Sequence, residues 1–173
     1  MTASVIVVMG VSGCGKTTVA RKLAERLGWR FAEADEFHSP ANVAKMRSGV
    51  PLTDEDRWPW LAAIARWIDQ ARAEGSPAVV TCSALKKAYR DVLVGSRDDV
   101  ALVHLKGDYD LIAARMAKRP HHYMPVTLLK SQFEALEEPD AGEKPVVIAI
   151  DALPEKIVDE ILERLSPSGS RIS

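Results

Sequence analysis

The segment that most constrains this chain is "VIVVMGVSGCGKTTVA", Val5 to Ala20: five apolar residues, a glycine-rich turn, then a run opening on Lys16 and Thr17. An all-apolar, β-branched run bounded by Gly10 is the pattern of a strand buried on both faces of a parallel sheet. Gly10, Gly15, Lys16 and Thr17 then satisfy G-x-x-x-x-G-K-[ST], with the strand before and the helix after that this motif requires. Each residue type has a physical task. Glycines let the backbone curl until several N–H groups point at phosphate oxygens, and the following helix offers its positive end to the same anion. Lys16 supplies a mobile charge for the β- and γ-phosphates, and Thr17 a hydroxyl for Mg²⁺. ATP with Mg²⁺ is therefore expected on Gly10, Ser12, Gly13, Cys14, Gly15, Lys16, Thr17 and Thr18.

The rest of the chain alternates in type. Strand-like runs recur at 77–82, 100–107 and 145–150, with a weaker one at 29–35. Helical patterns lie between them, at 16–27, 56–75, 84–94, 108–119, 127–138 and 153–165. Such alternation predicts an α/β three-layer sandwich around a five-stranded parallel sheet. The 173 residues suit one domain, 1–165, with insertions at 36–57 and 118–126 and a polar tail, 166–173, expected to fray. "TDEDR" reads as a helix cap, with Thr53 ahead of an acidic first turn.

Several function classes are disfavoured. A net charge of −1 argues against gripping nucleic acid through a basic face. The N-terminal apolar run is too short to span a bilayer and lacks a basic flank, so no membrane partner is expected. Cys14 and Cys82 form neither a disulfide framework nor a metal spacing, which suits a reducing, cytoplasmic setting. His121 and His122 are adjacent rather than spaced as metal ligands.

The second half of the chemistry sits in "EADEFH". Glu33 and Asp35 alternate at the end of the second strand, so both are expected to face one side, towards the crevice where ligands bind in such sheets. A carboxylate there can take a proton from an attacking hydroxyl or hold a water on Mg²⁺. The alternative is that these acids only cap the next helix.

"MGVSGCGKTTVA", "DEFHSPANVAKMRSGVPLTDEDRWPWL", "CSALKKAYRDVL", "LKGDYDLIAARM" and "SQFEALEEP", in that order, resemble the signature blocks of the gluconate kinases over about residues 5–150. The resemblance implies ATP-dependent phosphorylation of D-gluconate to 6-phosphogluconate, the fold of shikimate and nucleoside-monophosphate kinases, and a homodimer. It gives Asp35 the role of catalytic base, seats His38 in the sugar-acid pocket, and offers Arg47 and Arg57 to the carboxylate. A planar guanidinium suits bidentate carboxylate recognition. Lys86 and Arg90 would reach the same crevice from the third strand. Residues 118–126 would form a lid whose arginines, Arg115 and Arg119, close over the transferring phosphate, with His122 helping to bind substrate. Two departures stand out: Glu33-Ala34-Asp35 replaces the family's Asp-Gly-Asp, and Cys14 a common serine. Glu33 keeps the charge with one more methylene, for a water on Mg²⁺.

Trp58, Trp60 and Trp67 read as core or interface packing, Gln132 and Phe133 as packing, and 151–154 as the region of adenine recognition. The competing readings are a kinase for shikimate or a nucleoside monophosphate, a 5′-hydroxyl nucleic-acid kinase, and a non-catalytic nucleotide-binding module.

Overall fold

The computed structural model describes residues 3–118 and 126–165. The five expected strands are present: β1 (Val5–Met9), β2 (Arg30–Glu33), β3 (Ala78–Thr81), β4 (Val100–Lys106) and β5 (Val146–Ala149). They form one all-parallel sheet in the order β2-β3-β1-β4-β5. Val5 stands opposite Ala78 on one side and Val100 on the other, so β1 is central. Its unbroken apolar run follows from that place, because side chains on both faces are buried.

Alternate residues feed two cores. Val5, Val7 and Met9 face Leu61, Ile64 and Ile68 of α3 (Asp54–Glu74) and Leu93 of α4 (Lys87–Leu93). Ile6 and Val8 face the other core, built from α1 (Lys16–Leu27), α5 (Tyr109–Ala117), α6 (Val126–Ala135) and α7 (Pro154–Leu165). Full burial of side chains this size stabilises by about 1.5–3 kcal/mol each. The β1–β2 connection crosses over β3 and the β3–β4 connection crosses over β1. The winding therefore reverses beside β1, which opens a crevice at the carboxyl ends of the strands.

Local signals set the helix ends. Gly28 and Gly75 close α1 and α3 in the left-handed conformation. At the start of α3, Thr53 Oγ1 accepts from the Asp56 N–H at 3.2 Å, and the Asp56 carboxylate accepts from the Thr53 N–H at 2.9 Å, as the sequence predicts.

Two features depart from the sequence reading. The 36–57 insertion carries a short helix, α2 (Pro40–Arg47), capped by Ser39, whose hydroxyl accepts from the Asn42 N–H at 3.1 Å. It shows no apolar stripe, because Asn42 is its only buried residue. The second departure concerns the acidic pair. β2 ends at Glu33, opposite Thr81, and Ala34–Phe37 form a 3₁₀ turn, so Asp35 does not alternate with Glu33 on a strand.

Candidate active site

The phosphate loop is held in a shape that needs its glycines. A Cβ on Gly10 would lie 2.6 Å from Cys14 Sγ and 2.9 Å from the Leu105 carbonyl oxygen, and Gly15 has a φ of +92°. Gly15 is the N-cap of α1, and no side chain caps that helix. Its first turn has no acidic residue, so the leading N–H groups stay available to an anion. Lys16 Nζ rests on the carbonyls of Gly10 (2.9 Å) and Val11 (3.1 Å), laid over the first half of the loop. Thr17 and Thr18 are exposed beside it. This cradle fits a polyphosphate, and Thr17 fits a metal that takes one or two protein oxygens. Among the described residues no cluster of three or more His, Cys, Asp or Glu could hold a metal.

Cys14 and Cys82 are buried thiols rather than nucleophiles. Burial pushes the Cys14 thiol up despite the nearby Lys16, and pushes Cys82 up to about 12. Both Lys16 and Asp35 are near enough to Cys82, the residue after β3, to act on its thiol electrostatically. Asp35 is exposed there, on its 3₁₀ turn. Glu33 engages its neighbours: its N–H donates to the Glu36 carboxylate at 3.1 Å, and its own carboxylate lies 3.9 Å from the Arg21 guanidinium.

A polar scaffold holds the Asp35 turn against α3. Trp60 Nε1 donates to the Ala34 carbonyl at 2.7 Å, and the Trp60 ring stacks on His38 at 4.2 Å between centroids. Asn42, buried, donates through Nδ2 to the Asp56 carbonyl at 2.9 Å and faces His38 Nδ1 at 3.3 Å. An amide N–H₂ can only donate, so Nδ1 accepts and Nε2 carries the imidazole proton. Burial, with Arg57 nearby, lowers the His38 pKa against the opposing pull of Asp35 and keeps the ring neutral.

Next to this turn lies a cationic cluster. Arg57 Nη1 donates to Tyr89 Oη at 3.3 Å, and Tyr89 Oη donates to the Asp54 carboxylate. Asp54 also lies 3.7 Å from Arg57 and 3.6 Å from Lys86, so one carboxylate serves two cations. Trp58 leans edge-on against Tyr89 at 5.6 Å. Asp54 and Tyr89 were not anticipated, and no sequence signal links them, because they are 35 residues apart.

The other sequence-predicted residues have mixed fates. Arg47 ends α2, exposed, and its side chain has no hydrogen bond or ion pair to another described residue. Arg115 donates to the Ile150 carbonyl at 2.5 Å and is close enough to influence Cys14, which puts it on the phosphate side. Arg90 does not reach the crevice. It is 1% exposed, binds the Glu143 carboxylate at 2.7 and 3.3 Å, and donates to the Ala84 carbonyl at 2.8 Å. Ala84 has a φ of +46°, a conformation costly for a side chain, and it turns the chain out of β3 towards Lys86. Arg90 thus holds the turn that aims Lys86. Trp60 and Trp67 pack internally, and Trp58 is the exposed member of the three. Arg119, His121 and His122, most of the proposed lid, and the tail from 166 lie outside the described residues.

Comparison with known proteins gives the family and the fold. A family model described as an AAA domain matches residues 5–139. The chain is 46% identical to a gluconokinase of Gluconobacter oxydans over 157 residues, covering 91% of this chain and 88% of that protein. Its structure is similar to the crystal structure of a gluconokinase from Sinorhizobium meliloti, with a TM-score of 0.84, 44% identity, and coverage of 95% and 91%. A shikimate kinase from Aquifex aeolicus, at 20% identity and a TM-score of 0.61, shares the fold. With this identity extending over nearly the whole of both chains, the protein belongs to the gluconokinase family.

Proposed function

We propose that this chain transfers the terminal phosphoryl group of ATP to the 6-hydroxyl of D-gluconate, giving ADP and 6-phosphogluconate. The observation that supports the reading is an open, acid-free helix start at Gly15 carrying Lys16 and Thr17, with Lys16 and Asp35 both near Cys82 and the Arg57–Lys86 pair gathered on Asp54. The loop from Gly10 to Thr18 holds the phosphates, and Lys16 moves from the Gly10 and Val11 carbonyls onto them. Thr17, and Glu33 through a water, would hold Mg²⁺, which would supply neutralising charge for the phosphate chain. Asp35 accepts the proton of the attacking hydroxyl as the new O–P bond forms and the bond to ADP breaks. His38 offers its Nε2 proton to an acceptor hydroxyl. Arg57, Lys86 and Arg47 neutralise the gluconate carboxylate, Arg115 and Arg119 screen the transferring charge, and His122 helps to bind the substrate. Arg90 serves the site by holding Ala84 in place.

Among the described residues no helix is long and apolar enough to cross a membrane. With two buried thiols, a reducing cytoplasm suits the chain, and we place it there as a homodimer; sedimentation at micromolar concentration tests the dimer. The decisive measurement is ATP consumption across a panel of sugar acids, shikimate and nucleoside monophosphates. Gluconate is expected to give the highest rate, and a rate with another acceptor alone would overturn the assignment. Asp35→Asn is expected to lower kcat by roughly 10²–10⁴-fold while ATP binding persists. Wild-type turnover in that variant removes Asp35 as the base.

A further inference from the structure

Gln132, on α6, reaches back 120 residues to the phosphate loop. The Ser12 N–H donates to Gln132 Oε1 at 2.6 Å, and Gln132 Nε2 donates to Ser12 Oγ at 2.8 Å. The orientation of the amide is forced: a backbone N–H can only donate, so the atom facing it is the carbonyl oxygen. The N–H₂ group must then face Ser12 Oγ, which accepts, and the hydroxyl hydrogen of Ser12 is left for a third partner. Lys16 Nζ rests on Gly10 and Val11, the two residues before Ser12, and Lys16 is the group that reaches the β- and γ-phosphates. Ser12 thus directly follows the loop residues on which Lys16 rests, and its hydroxyl hydrogen has no acceptor among the described residues.

The same helix also reaches the acceptor side. Just beyond it the Glu137 N–H donates to the Leu85 carbonyl at 2.7 Å, and the Glu137 carboxylate accepts from the Lys87 N–H at 3.0 Å. Both contacts flank Lys86. α6 thus touches the phosphate loop at Gln132, and the turn just after it touches both sequence neighbours of Lys86 at Glu137. An apolar residue would satisfy packing against Tyr109 and its neighbours, as Phe133 does; a carboxamide making two hydrogen bonds to one loop residue does something packing does not require.

We infer that Gln132 is a positioning residue for phosphoryl transfer: it fixes Ser12 so that the Ser12 hydroxyl donates to the terminal phosphate as charge develops there. This rests on the ATP-dependent transfer proposed above. The variants Gln132→Met, Gln132→Glu, Ser12→Ala and Ser12→Ala/Gln132→Met test it, with kcat and KM measured separately and melting temperature recorded for each. Gln132→Met is expected to lower kcat about tenfold with the gluconate KM within about twofold, the scale of one lost donor. Gln132→Glu is isosteric but cannot donate, and its carboxylate accepts a hydrogen bond from the Ser12 hydroxyl, diverting that donor from the phosphate, so its kcat falls at least as far. In the Ser12→Ala background, Gln132→Met is expected to have no further effect on kcat, because the residue through which it acts is gone. A full tenfold loss in that background, or wild-type kcat in Gln132→Glu or Ser12→Ala, overturns the proposal. A wild-type chain silent on gluconate would instead remove the acceptor assignment, and the same cycle is then read on the slow hydrolysis of ATP in water.

Discussion

Two helix starts face the crevice, and they are built in opposite ways. α3 opens on Thr53 with a reciprocal cap to Asp56 and three acids, Asp54, Glu55 and Asp56, in its first turn. α1 opens on Gly15 with no side-chain cap and no acid in its first turn. Both helices leave N–H groups and a positive dipole end at their first turn. In α3 the chain satisfies them internally, and in α1 it leaves them open. A third start, that of α4, is closed by a carboxylate from elsewhere, Glu137 on the Lys87 N–H. The contrast shows where an external anion belongs: the open start is the one that also carries Lys16 and Thr17, and the closed starts lie on the acceptor side. The absence of an acid from the first turn of α1 is thus as informative as the glycines.

The two threonines are the sharpest probe of that difference. The Thr17 hydroxyl is exposed and makes no hydrogen bond to another described residue, whereas Thr53 is a working cap. Thr17→Ala is expected to lower kcat/KM for MgATP by roughly 10²–10³-fold, as loss of a group that acts on transferring charge does. Its melting temperature is expected to stay at the wild-type value. A clear drop in melting temperature with activity intact would mean that Thr17 is merely another cap, and the contrast between the two helices would collapse. Next in size is Arg90→Met, which leaves Glu143 without its cation and Ala84 without its hydrogen bond. Breaking a buried pair from one side costs about 3 kcal/mol, which urea unfolding would read directly. A stability change under 1 kcal/mol with lost gluconate affinity would return Arg90 to the ligand.

How much of this was legible beforehand follows from the range of each interaction. β1 was readable because a strand buried on both faces has no polar position to disguise it. α1 and α3 were readable at their ends because Gly28, Gly75 and Thr53 act on neighbours within a turn. The seat of Asp35 was misread, since alternation lasts only as long as the ladder, and β2 stops pairing at Glu33. Lys86 and Arg90 look equivalent one helical turn apart, yet Arg90 is claimed by Glu143, 53 residues away. α2 was missed because it has almost no apolar face. The Asp54–Tyr89 and Ser12–Gln132 bonds join residues that no periodicity connects.

A smaller effect tests the closed side of the comparison. Thr53→Ala removes one capping acceptor and is expected to cost about 1 kcal/mol, or about 2–4 °C in melting temperature. Turnover is expected to remain within about threefold of wild type, because Arg57 and Asp54 stay on a helix that is otherwise intact. If kcat fell a hundredfold without a change in melting temperature, the start of α3 would be a ligand site like that of α1.

The smallest expected effect is a pH dependence at the scaffold between the two helices. His38 ordinarily titrates near 6.5, and burial against Trp60, reinforced by Arg57, holds its folded value lower. The unfolded chain therefore takes up a proton below pH 6.5 that the folded chain resists. Stability is fully present above 6.5 and is lost progressively as pH falls from there through the lower folded value. His104, buried on β4 and shifted in the same direction, acts in the same window and remains in any His38 variant. Asp56 and Asp69, both near 2 in the folded chain, add their losses only at more acid pH, below the carboxylate value of 3.8. His38→Gln should accordingly flatten, without abolishing, the fall in unfolding free energy between pH 7 and 5. Equal slopes in the variant and the wild type would mean that His38 charges freely in the folded protein, so the Asn42 and Trp60 contacts would not be holding it neutral.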